Sequence, residues 1–140
     1  EVANYFNAEM VICDKHRKRA NEIASMVVIG DVTGKDIVIV DDICDTGGTL
    51  VKAAALLKEK GARSVRAMIT HPVLSGKAYE NIENSVLEEL VVCDTIPLAH
   101  PSAKIKVVTV ADLFAIAIRN AYENKSITSL FVHSQLKARG

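Results

Sequence analysis

The sequence predicts an α/β domain, a mainly parallel sheet flanked by helices, and three observations carry that expectation. Four consecutive apolar β-branched residues, Ile37-Val38-Ile39-Val40, form the kind of run that suits a strand covered on both faces. Directly after it come two acids, Asp41 and Asp42. A small loop, Asp45-Thr46-Gly47-Gly48-Thr49, follows, and then a segment in which Leu50, Ala54 and Leu57 recur at helical spacing. Further apolar runs at 64–69, 90–93 and 106–110 are separated by helical segments, the alternation that builds parallel sheets.

The elements can be justified in order. Val2, Tyr5 and Phe6 fall on one side of an opening amphipathic helix. Met10-Val11-Ile12-Cys13 reads as a short strand, and residues 14–21 as a polar, strongly basic loop with too few apolar residues to pack down. Ser25-Met26-Val27-Val28-Ile29 returns to strand character, and residues 30–36 turn the chain into the central strand at 37–40. The helix expected over 48–60 ends on Lys58, Lys60 and Gly61, cations and a glycine that suit a helix C-terminus. A strand over 64–69, a loop over 70–76 and a helix from Ser75 or Gly76 to Asn84 come next. Strands at 90–93 and 106–110 precede a helix over 111–123 with Leu113, Ile116, Ala117 and Ala121 on one face.

Bulk properties exclude more than they specify. At 140 residues, 49% hydrophobic and 24% charged, the chain can bury one core as a single domain. Lys+Arg and Asp+Glu each number 17, so no net field favours nucleic acid or an anionic membrane. Cys13, Cys44 and Cys93 form no C-x-x-C pair and read as reduced thiols of a cytoplasmic protein. No apolar stretch approaches the ~20 residues that span a bilayer. The chain starts at Glu1 inside a helix, which reads as a fragment of something longer.

The chemistry concentrates between Asp41 and Thr49. Acids at the C-terminal end of a strand sit where open α/β sheets place their ligands. Two hydroxyls, two glycines and the N-H groups of a helix start make a cradle for a phosphate dianion. A phosphate beside acids suggests a sugar phosphate, with the acids taking hydroxyls or a metal. Paired acids after a strand also occur in P-loop enzymes and in phosphoacceptor pockets, but G-x-x-x-x-G-K-[ST] is absent here and Gly-Gly-Thr fits neither. Cys44 has no evident base beside it and reads as a spacer; His71 reads as shaping its loop; His16 reads as solvent-facing, and His100 and His133 carry no constellation.

The run from Ile37 to Thr49 resembles the ribose-5-phosphate loop of the type I phosphoribosyltransferase superfamily: a hydrophobic strand, two acids and D-[ST]-[GA]-G-T. Asp14-Lys15-His16-Arg17 with Asn21-Glu22, the turn Gly30-Asp31-Val32-Thr33-Gly34-Lys35, and Thr70-His71-Pro72-Val73-Leu74-Ser75-Gly76 narrow the resemblance to the ribose-phosphate diphosphokinases, over residues 1–134. It implies a phosphoribosyltransferase-like fold. It also implies transfer of the β,γ-diphosphate of ATP to ribose 5-phosphate, with Mg2+ as cofactor. Asp41, Asp42, Asp45, Thr46, Gly47, Gly48 and Thr49 would bind ribose 5-phosphate. Asp41 and Asp42 are candidate magnesium ligands, and Lys15 and Arg17 the catalytic cations of a closing loop. The family's adenine pocket, magnesium-binding His and diphosphate loop lie in an upstream half with no counterpart here. The chain is therefore expected to be the C-terminal domain only, inactive alone.

The same resemblance matches Ser126-Ile127-Thr128 to a C-terminal Ser-x-[ST] element that helps bind phosphate or ADP at subunit contacts, and it implies a homo-oligomer, dimer to hexamer, in the full-length enzyme. Neither nucleic acid nor membrane is an expected partner. Two rivals share the fold. A base-dependent phosphoribosyltransferase would need neither the Lys15/Arg17 loop nor the stretch 71–76. A non-catalytic nucleotide-sensing module would have lost Lys15, Arg17 or Asp41, all of which are present.

Overall fold

The computed structural model describes residues 2–16 and 25–131. They divide into two compact units, one formed by Glu1–Met10 with Thr109–Gly140 and the other by Val11–Val108. The larger unit carries a four-stranded parallel sheet in the order β3 (Asp36–Cys44), β4 (Ser64–Pro72), β5 (Glu89–Cys93), β6 (Ile105–Val108). Helix α2 (Gly48–Glu59) connects β3 to β4, and α3 (Ala78–Glu83) connects β4 to β5. An antiparallel pair, β1 (Ile12–His16) and β2 (Ser25–Ile29), makes a separate ladder. The smaller unit holds α1 (Val2–Tyr5), α4 (Ala111–Tyr122) and a 3-10 turn at Thr128–Leu130.

The α/β class and the parallel sheet agree with the sequence; the details differ for physical reasons. Within the larger unit the residues of the central strand alternate between packed and exposed. Ile37 and Ile39 pack on the core, whereas Val38 and Val40 are each 50% exposed. The core lies on the α2 and α3 side, built from Leu57, Val65, Ala67, Ile69, Ile82, Leu87, Leu90 and Val92. A run of β-branched residues satisfies the strand backbone whichever face is covered, so it could not reveal this alternation.

The strands also reach further than the apolar runs. β3 continues through both acids to Cys44, and β4 through His71 to Pro72, because register pairing with a neighbour holds polar residues in the ladder. The loop expected from Thr70 therefore begins after Pro72. Conversely β6 stops at Val108, and α3 starts only at Ala78. β1 runs from Ile12 to His16, with Lys15 opposite Met26, so Lys15 belongs to a strand and not to the basic loop. Arg17 lies outside the described residues.

At the end of the sheet remote from the acids, Asp36 at the start of β3 accepts from Arg63 Nε at 2.8 Å and Ser64 Oγ at 2.6 Å. The Arg63 guanidinium, with Ser64, holds the Asp36 carboxyl far below the usual carboxylate range. Leu57 sits between α2 and the sheet at 1% exposure. Replacing it with Ala should cost about 2–5 kcal/mol, measurable by urea unfolding of the chain. A loss below about 1 kcal/mol would mean that α2 does not seal this core.

Candidate functional site

Three segments meet at the C-terminal ends of β3 and β4. Core-facing positions on β3 pass from Ile37 and Ile39 to Cys44, so the alternation slips by one residue across the two acids. β4 shows the same slip, from Val65, Ala67 and Ile69 to Pro72. Asp41 and Asp42 lie at the slip, and both are exposed. The Asp41 carboxylate accepts from the Asp42 N-H at 2.9 Å.

Residues 45–47 then turn the chain into α2, whose first residue is Gly48. Gly47 is buried in a left-handed conformation, φ 73°, which a side chain would strain. Its carbonyl accepts the Val51 N-H at 3.0 Å, the first bond of the helix, and its own N-H is directed to the Cys44 sulfur. Gly47 therefore enters the loop through its conformation, while Gly48 and Leu50 are among the first-turn residues whose N-H groups an α-helix leaves for a ligand. Beside them stand the exposed Thr46 and Thr49 hydroxyl residues. A Cβ built on Gly48 would meet only Thr46 Oγ1, at 3.7 Å, so the space in front of this backbone is open.

Cys44 is more than a spacer. It is 4% exposed and part of the core, and burial pushes its thiol up, with Gly47 N-H pulling the other way. A buried thiol held protonated is a poor nucleophile.

The third segment follows β4. Leu74 N-H donates to Cys44 O and Ser75 N-H to Asp45 O, each at 3.1 Å, and Ser75 Oγ donates to the Asp45 carboxylate. Asn81 Nδ2 on α3 donates to Thr46 O at 2.9 Å. Leu74 is itself left-handed, φ 48°, and buried, so this turn is held in a conformation that non-glycine residues rarely adopt. His71 Nδ1 lies 2.9 Å from Thr95 Oγ1, whose proton goes to Thr70 O at 2.8 Å. The hydroxyl has one proton, so the proton of the His71 contact comes from Nδ1.

The structure thus brings Asp41, Asp42, Asp45, Thr46, Gly47, Gly48 and Thr49 to one place. Lys15 is described in its backbone only, on β1, and Arg17 is outside the described residues. Ser126 and Thr128 belong to the smaller unit, where Ser126 Oγ donates to Thr128 Oγ1 at 2.8 Å and accepts the Thr128 N-H at 3.1 Å. Sequence reasoning missed Ser75, Asn81 and Thr95, whose contacts with the loops are made across 24 to 35 residues of chain. His100 was read as carrying no constellation, yet it stacks on Tyr79 at a 3.7 Å ring separation. No group of three His, Cys, Asp or Glu residues suited to a metal ion occurs among the described residues. Nor, among them, is any helix long and apolar enough to cross a membrane.

Comparison with known proteins identifies relatives over most of the chain. A family model described as the phosphoribosyl synthetase-associated domain matches residues 7–132. The ribose-phosphate pyrophosphokinase of Campylobacter jejuni is 56% identical over 131 residues, 94% of this chain and 42% of that protein. Its Wolinella succinogenes counterpart is 55% identical over 130 residues, 93% of this chain and again 42% of that protein. The crystal structure of phosphoribosylpyrophosphate synthetase from Mycobacterium smegmatis superposes with a TM-score of 0.71 at 36% identity, over 80% of this chain and 37% of that one. The chain therefore spans about two fifths of the length of these relatives. With residues 7–132 matched, the chain belongs to the phosphoribosyl synthetase-associated domain family.

Proposed function

We propose that this chain is the C-terminal catalytic domain of a ribose-phosphate diphosphokinase and binds ribose 5-phosphate for transfer of the β,γ-diphosphate of ATP to its C1 hydroxyl. The observation that carries the reading is the 45–49 loop: a helix start with open space before Gly48, beside two exposed acids. That combination suits a ligand with a phosphate at one end and hydroxyls at the other.

In this mechanism the N-H groups of the α2 start and the hydroxyls of Thr46 and Thr49 hold the 5-phosphate. Asp41, with Asp42, takes the ribose 2- and 3-hydroxyls and fixes the C1 hydroxyl in line for attack on the β-phosphorus of ATP; positioning supplies much of the acceleration. Lys15 and Arg17 face the charge that spreads over phosphoryl oxygens as AMP leaves. Two exposed carboxylates, with no third protein ligand beside them among the described residues, fit the coordination habits of Mg2+, which is commonly held by one or two carboxylates. Asp41 and Asp42 would hold it, and when bound it neutralises polyphosphate charge. The adenine pocket belongs to the remainder of a longer enzyme on this reading, so the domain alone does not turn over. The full-length enzyme would be a cytoplasmic homo-oligomer, with Ser126 and Thr128 near a phosphate or ADP effector site.

Calorimetry of the chain with ribose 5-phosphate and with inorganic phosphate, magnesium present, tests the reading. The sugar phosphate should bind more tightly, and Asp41→Ala should remove that advantage while leaving inorganic phosphate unaffected. Equal affinities in the unaltered chain would take the sugar away from Asp41.

A further inference from the structure

We propose that residues 75–81 form a brace that sets the phosphate loop in its binding shape before ligand arrives, with Ser75 and Asn81 as positioning residues. The role assigned to the loop rests on the function proposed above; the brace itself rests on geometry.

The Thr46 carbonyl and the Gly47 N-H belong to one planar peptide and point in opposite directions. Asn81 Nδ2 holds the carbonyl at 2.9 Å, and the N-H is turned to the Cys44 sulfur. The peptide that leads into the left-handed Gly47 is therefore pinned through its carbonyl. Orientation of that peptide sets how the chain enters α2, and so where the N-H groups of the first helical turn point. One residue earlier, Ser75 does the same for Asp45, taking its carbonyl through the Ser75 N-H at 3.1 Å and its carboxylate through Oγ. The carboxylate is thereby drawn to the brace, which matters because an acid turned into the loop would repel a phosphate. Packing reinforces the hydrogen bonds. A Cβ on Gly47 would lie 3.6 Å from both Ala78 O and Ile82 Cγ1, so α3 sits directly against the loop. Ala78 and Ile82 are fully buried, which anchors the brace in the core.

A loop held this way loses little conformational freedom on binding, and affinity gains by that amount. Ser75 and Asn81 need not touch the ligand to have this effect. In the full-length enzyme of the proposed function, their loss should weaken ground-state and transition-state binding alike, raising KM with kcat nearly unchanged.

Amide hydrogen exchange of the ligand-free chain tests the brace first. Asn81→Leu, which keeps the shape and removes the donor, and Ser75→Ala should each speed exchange at Gly47 and Val51 by about tenfold, as expected for one lost hydrogen bond. Exchange at Ile69 and Val92 should stay as it was, and Ser75→Thr, which keeps the hydroxyl, should behave as the unaltered chain. Ribose 5-phosphate affinity should fall about tenfold in the same two variants. Unchanged loop exchange in both variants overturns the brace, whatever the ligand does. Faster exchange with unchanged affinity overturns the positioning role. Failure of the unaltered chain to bind ribose 5-phosphate overturns the sugar-phosphate reading, while the exchange result still decides the brace.

Discussion

Gly48→Val should weaken ribose 5-phosphate binding roughly a hundredfold, about 2.7 kcal/mol, and leave the melting temperature nearly unchanged. The two parts of this expectation have separate grounds. In the folded chain a Cβ at position 48 meets only Thr46 Oγ1 at 3.7 Å, an ordinary contact, and the backbone there is the first residue of a helix. A β-branched residue at this half-buried helix start, with only an ordinary contact to meet, costs a fraction of a kcal/mol at most. On the proposed function, however, the phosphate must approach the same backbone closely. A branched side chain there keeps it from the N-H groups, and a hydrogen bond to a charged group is worth roughly 1.5–3 kcal/mol. The neighbouring Gly47 makes the contrast. Its φ of 73° and its packing against α3 mean that a side chain at 47 would strain the fold before any ligand is considered. Calorimetry with a parallel thermal melt separates the two. Unchanged affinity for the Gly48 variant would put the phosphate elsewhere.

Why the loop was legible while its support was not follows from how each is encoded. The run from Ile37 to Thr49 carries its meaning locally: β-branched residues favour a strand, Gly47 permits a left-handed turn, and Leu50, Ala54 and Leu57 repeat on one helix face. Ser75 and Asn81 have no such signature. Serine and asparagine are common in turns and on helix surfaces, and nothing in the local pattern shows that their partners are Asp45 and Thr46, 30 and 35 residues away. The burial of Cys44 was hidden for a related reason. Strict alternation from Ile37 and Ile39 would turn position 44 away from the core, and only the slip across the acids brings it back. The exposure of Val38 and Val40 was equally invisible, since they are as apolar as Ile37 and Ile39, with which they alternate. Charge interrupts the apolar pattern at Asp14 and makes the basic stretch look like one loop, yet backbone pairing carries β1 two residues beyond that point.

That last difference sharpens the expectation for Lys15. In the full-length enzyme that the proposed function implies, Lys15→Ala should lower kcat roughly a thousandfold, the lower end of what a cation supplied to a phosphoryl-transfer transition state contributes. The KM for ribose 5-phosphate should change far less. The phosphate and the ribose hydroxyls are assigned to the 45–49 loop and the acids at 41 and 42, none of which the substitution touches. Charge reaches the transferring group only as the bond to AMP weakens, so an interaction with it is made mainly in the transition state and appears in kcat. Strand pairing adds a structural argument. Lys15 is opposite Met26 in the β1–β2 ladder, so its Cα is held by the same backbone hydrogen bonds that hold its neighbours. Alanine at this position keeps the ladder, and a rate loss would report the missing ammonium and not a displaced strand. Lys15→Arg, which restores the charge on the same strand position with a different reach, should recover part of the rate. A substitution that mainly raised KM would instead make Lys15 a ground-state binding group, and the transition-state role would have to be given up.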